Sequence, residues 1–90
     1  MDDRSLLEEF IAHRSETAFR TFTDQYLNLV YSTALRETND AQMAQDVTQA
    51  VFILLARKAE SLPKNVLLAG WLYRTTHFVA SRAVRSELRR

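Results

Sequence analysis

The chain has 90 residues, enough for one small domain with an economical core. Leu, Ile, Val and Phe fill 25 positions, too many for a disordered chain, while one Gly and one Pro leave too few turn residues for a sandwich, a barrel or a series of hairpins. The net charge of +1 is divided unevenly: residues 1–60 carry six Lys/Arg against ten Asp/Glu, and residues 61–90 carry six against one.

With 11 alanines, this composition predicts an all-α fold. The absence of Cys excludes disulfides, thiolate metal sites and a Cys nucleophile. The acidic start, Met1-Asp2-Asp3 followed by Glu8-Glu9, is not a signal peptide. No apolar stretch approaches the roughly 18 residues that span a bilayer, so no membrane partner is expected and a cytoplasmic location is the default.

Periodicity predicts a compact bundle of about four helices. The first runs from about Ser5 to Ala12 with Leu6, Leu7, Phe10 and Ile11 on its inner side. His13-Arg14 links it to a second helix, which Ser15 caps and Glu16 starts. That helix continues to about Arg36 and carries two apolar stripes. Phe19, Phe22, Tyr26, Leu29, Val30 and Thr33 form one, and Leu27, Tyr31 and Leu35 the other, as if it met more than one neighbouring helix. Thr38-Asn39-Asp40 breaks the pattern and supplies the next cap. The third helix, from about Ala41 to Ala59, turns Ala44, Val47, Thr48, Val51, Leu54 and Leu55 inward. Pro63 marks Glu60 to Leu67 as a loop. The fourth helix starts near Leu68–Trp71 and runs to the end of the chain, with Leu72, Val79 and Ala83 toward the core and Trp71 and Thr75 at the edge of that arc.

Two outward faces stand out. On the third helix, Gln42, Asp46, Gln49 and Ile53 share a stripe opposite the core face, with Arg57 beside it. Such a stripe is either a protein-contact surface or an ordinary solvated face with one stray Ile. On the fourth helix, Arg74, Phe78, Ser81, Arg82, Arg85 and Arg89 share a face with His77 on its flank. At 1.5 Å per residue the arginines span about 22 Å, a length suited to the phosphates of one nucleic-acid strand. Phe78 either stacks on an exposed base or folds into the core, the commoner fate of a large aromatic at helical spacing. Enzyme chemistry finds no support: His13 and His77 lack metal-ligand spacing, Gly70 alone cannot form a nucleotide-binding loop, and no cofactor is expected.

Several segments, in order, resemble region 2 of the extracytoplasmic-function sigma factors of the sigma-70 family, over almost the whole chain. They are Leu7-Glu8-Glu9-Phe10-Ile11, Ala18-Phe19, Asp24-Gln25-Tyr26, Leu29-Val30-Tyr31, Asp46-Val47-Thr48-Gln49-Ala50-Val51-Phe52 and Trp71-Leu72-Tyr73-Arg74-Thr75, with a basic run ending in Arg89-Arg90. The pairing of Asp-x-x-Gln-x-x-Phe with Trp-Leu-Tyr-Arg about 20 residues later is the specific part.

The resemblance implies a non-enzymatic transcription initiation domain spanning residues 1–90. It binds the β′ clamp helices of core RNA polymerase through Gln42, Asp46, Gln49, Phe52 and Ile53, although Phe52 lies beside the stripe and is also placed to pack inward. It implies that the loop Ser61–Gly70 captures a base flipped from the −10 element, and that the fourth helix contacts the non-template strand of the promoter DNA. Residues implied in DNA binding are Lys64, Asn65, Arg74, His77, Phe78, Ser81, Arg82 and Arg85. Leu62 and Val66 would wall the base pocket, while Asn65 suits either a base edge or a turn.

Family members are often held by an anti-sigma factor, and a helical interaction module that binds a regulator without touching DNA is the alternative. The sequence departs from the family at Arg14-Ser15, where relatives often have Gly-Asp, in the acid-poor segment before Gln49, and in a loop lacking the common Phe-Arg-Gly stretch. The family's C-terminal helix-turn-helix domain for the −35 element is not in the chain, which therefore reads as an excised domain or fragment.

Overall fold

A computed structural model describes residues 2–89, so Met1 and Arg90, the last residue of the basic run, lie outside the described part. Four helices follow one another: α1 (Asp3–His13), α2 (Glu16–Thr38), α3 (Ala41–Lys58) and α4 (Leu68–Leu88), with a single 3₁₀ turn at Ala59–Ser61 after α3. There is no strand among the described residues. The all-α bundle matches the sequence expectation, and the boundaries differ by one to three residues. α1 is longer at both ends, α2 runs two residues further, and Ala59 leaves α3 for the 3₁₀ turn, where a tighter winding serves as a connector.

Local capping explains where three of the helices begin. The Asp2 carboxylate accepts from Ser5 N at 2.7 Å, Ser15 Oγ from Ala18 N at 3.1 Å, and Asp40 Oδ1 from Met43 N at 2.9 Å. Each satisfies a donor that has no partner within its helix. The Ser5 amide also holds the Asp2 carboxyl below the usual carboxylate range.

The ends of α1 and α2 share one device. Arg14 and Asn39 both adopt left-handed backbone, at φ 52° and 53°, and each donates its N–H to the carbonyl four residues earlier, Phe10 O and Leu35 O. Asn tolerates this region, but Arg pays the ordinary Cβ cost. The Arg14 guanidinium recovers part of it by lying 5.2 Å from the centroid of the Phe10 ring. In urea titration, Arg14→Gly should exceed Arg14→Ala in stability by about 1 kcal/mol, because both lose the ring contact and only Gly relieves the strain. Equal stabilities would show that Arg14 is unstrained.

α2 is the central helix and packs against α1, α3 and α4, and α3 also packs against α4. Phe22, Leu7, Leu55, Leu72, Val30 and Val51 are fully buried where these helices meet. Thr33, Thr48 and Thr76 are buried beside them, and each returns its hydroxyl to the carbonyl one turn back, Leu29, Ala44 and Leu72 respectively. Burial of a hydroxyl costs little once it is so paired.

The core differs from expectation in three places. Leu54 is only partly buried. In α4 the innermost positions are Leu68, Leu72, Thr76 and Ala80, with Val79 and Ala83 at the margin. The Leu27, Tyr31 and Leu35 stripe of α2 is not covered by a second helix: Leu27 is 44% exposed and Leu35 37%.

Tyr26 fastens α2 to the start of α1 by donating its hydroxyl to Asp3 Oδ2. Partial burial, helped by that carboxylate, pushes the Tyr26 hydroxyl up to about 12. No helix among the described residues is long and apolar enough to cross a membrane.

Candidate functional site

The uncovered stripe of α2 faces the outer side of α3 across an open groove of about 680 Å³. Phe19, Leu27 and Tyr31 line it from α2, and Gln49, Phe52 and Ile53 from α3. Phe52 is 7% exposed and forms part of the floor, whereas Ile53 is 47% exposed and stands on the rim. The α2 residues of this groove escaped the sequence reading because an apolar stripe says that it seeks a cover, not which chain provides it. Asp46 and Gln42 sit one and two turns before Gln49 on the same ridge of α3, joined by a hydrogen bond of 3.3 Å from Gln42 Nε2 to Asp46 Oδ1. They border a second groove, toward Val79, Ala83 and Ser86 of α4. The expected stripe is thus a ridge between two grooves, with Gln49 and Ile53 turned to the apolar one.

The outer face of α4 has a different chemistry. Arg74, His77, Phe78, Arg82 and Arg85 are exposed, with Ser81 half-buried between them. Phe78 is 56% exposed, so of its two readings the core one is excluded: Leu72, Thr76 and Ala80 take the inner arc and leave it facing outward. The Arg82 guanidinium lies 5.5 Å from the centroid of the Phe78 ring. Tyr73, part of the Trp-Leu-Tyr-Arg segment but not among the residues implied in DNA binding, is 49% exposed on the same helix. The Arg74 guanidinium folds back toward the helix start, with Nη1 3.3 Å from where a Cβ on Gly70 would stand. His77 is tied to α2 through a contact of its Nδ1 with Glu37, so this part of the strip brings a carboxylate with it.

The loop before α4 ends at Leu67, where the sequence places its end. Only the segment that the resemblance implies for base capture, Ser61–Gly70, is cut short: its last three residues, Leu68, Ala69 and Gly70, belong to α4. Leu62 and Val66 pack against the core, so they support the loop from beneath. Val66 N donates to Pro63 O at 3.1 Å, closing a turn that presents Lys64 and Asn65 to solvent. No group of three or more potential metal ligands occurs among the described residues.

The molecule is therefore an all-helical bundle with two chemically distinct open faces that share no residue: an apolar groove between α2 and α3, and an arginine–aromatic strip along α4. Residues 22–90 match the sigma-70 region 2 family, so the chain belongs to that family. This is the part of sigma factors that takes part in RNA polymerase binding and promoter recognition, a non-enzymatic role in transcription initiation. No curated protein and no solved structure matches the chain.

Proposed function

We propose that residues 1–90 form one region 2 domain of an extracytoplasmic-function sigma factor, acting in the cytoplasm. It docks on the β′ clamp helices of core RNA polymerase through the α2–α3 groove and the adjoining ridge. Gln42, Asp46, Gln49, Phe52 and Ile53 act there together with Leu27 and Tyr31. The strip of α4 and the turn at Lys64-Asn65 engage the non-template strand of the −10 element. The carrying observation is the separation of an apolar face from a basic, aromatic face in one small bundle.

Apolar helix-binding grooves seat partner helices, and arginines interleaved with exposed aromatics hold phosphates while bases stack. A flipped base must recover a few kcal/mol from its pocket. Asn65 offers both a donor and an acceptor, and Lys64 a charge for phosphate.

Arg74→Ala and Arg85→Ala should each lower the slope of log affinity against log salt by about one for a −10 non-template oligonucleotide bound by the chain with core polymerase. Slopes equal to the parent's would remove α4 from the DNA interface. The groove also favours a second reading, an interaction module whose partner is a regulator such as an anti-sigma protein. That reading expects no salt-sensitive promoter binding in the polymerase complex.

A further inference from the structure

Arg4 of α1 reaches across 62 positions of sequence to the loop before α4, where its Nη2 donates to Val66 O at 2.7 Å. Val66 is the residue whose own N–H closes the Pro63–Val66 turn, so one residue both shapes the turn and receives the tether. The anchor is itself held. Arg4 N donates to Asp3 Oδ1 at 2.8 Å, and Asp3 Oδ2 accepts the Tyr26 hydroxyl from α2. The start of α1 is thus fastened to α2 through Asp3 and to the loop through Arg4. Lys64 and Asn65, exposed at the tip, gain a fixed platform that the packing of Leu62 and Val66 alone provides only from below. Arg4 lies outside the residues 22–90 that match the family, whereas Val66 lies within them.

We infer that Arg4 is a positioning residue for base recognition, setting the loop through the Val66 carbonyl; this rests on the reading of the loop as the −10 contact. A hydrogen bond from a charged donor to a carbonyl fixes a loop whose backbone would otherwise sample several conformers, and recognition of a single base loses selectivity when its donor and acceptor wander. The planar guanidinium suits the role better than a Lys ammonium, which is a flexible point charge.

The test uses the full chain assembled with core RNA polymerase and a pool of single-stranded DNA with randomised bases, alongside amide exchange of the chain. Arg4→Met keeps the apolar stem and removes the donor, and Arg4→Lys keeps a donor. In Arg4→Met, exchange at residues 64–66 should speed up and preference for the favoured base over its competitors should drop about tenfold. Polymerase affinity should stay within about twofold of the parent. Arg4→Lys should recover part of the preference.

Faster exchange with undiminished preference would overturn the inference, as would unchanged exchange. A loss of preference matched by lost polymerase affinity and a lowered melting temperature in both variants would reduce Arg4 to a fold contact and also overturn it. If the parent itself enriches no sequence from the pool, the reading of the loop fails and the inference falls with it, even where exchange shows the tether to exist.

Discussion

Ile53→Asp, and separately Leu27→Lys, should each weaken binding to a purified β′ clamp-helix fragment at least about 100-fold while leaving circular dichroism and melting temperature near the parent's. The two side chains rise from opposite walls of the α2–α3 groove and are 47% and 44% exposed, so the free domain loses little packing when they change. In a complex that seats a helix in the groove, the same positions are desolvated. A charge buried there without a partner costs several kcal/mol, and about 2.7 kcal/mol already corresponds to 100-fold. Asp46→Lys with Gln49→Ala changes mainly the ridge, where water continues to screen the charges. Its expected effect is smaller, about tenfold. Fluorescence anisotropy of the labelled fragment measures all three. If Ile53→Asp binds like the parent while the ridge pair loses binding, the ridge is the docking surface and the groove is not.

The groove also shows how far periodicity reads. The buried faces of α2 and α3 follow from spacing, because residues one turn apart must share a side whatever the tertiary structure. Ser15 and Asp40 were legible as caps for a similar reason, since a cap is a contact within four residues. Leu27 and Tyr31 were legible as apolar but not as uncovered, because their spacing would be the same under a fifth helix.

Phe78 failed the general expectation that a large aromatic packs inward. The four positions that fill the inner arc of α4, Leu68, Leu72, Thr76 and Ala80, include two small residues that leave little signal of their own. The left-handed Arg14 and the Arg4–Val66 bond left no mark at all. One is a backbone state that Arg rarely takes, and the other joins residues brought together only by folding. Thus the bundle was readable from local rules, as were the ridge and the arginine strip. The groove and the loop's anchor are products of the way the helices pack.

Phe22→Ala should be the most damaging single truncation, lowering stability by about 3–5 kcal/mol in urea titration with an unchanged m-value. The ring is fully buried at 0% exposure, and its centroid lies 4.9 Å from that of Tyr26, so truncation opens a cavity and removes an aromatic contact together. A domain of this length holds roughly 5–13 kcal/mol in all, so the variant keeps little reserve and its melting temperature should fall by some 15–30 °C. Phe19→Ala makes the informative contrast. Phe19 is only half-buried, pairs with Phe10 at 4.6 Å and lines the α2–α3 groove. Its loss should cost less in folding, about 1–2 kcal/mol, yet more in polymerase binding per unit of stability lost. Adding excess clamp-helix fragment should therefore raise the melting temperature of Phe22→Ala by about as much as that of the parent, because ligand acts on the folded fraction alone, and should raise that of Phe19→Ala less. Equal rescue of the two variants would mean that Phe19 serves the core and not the groove.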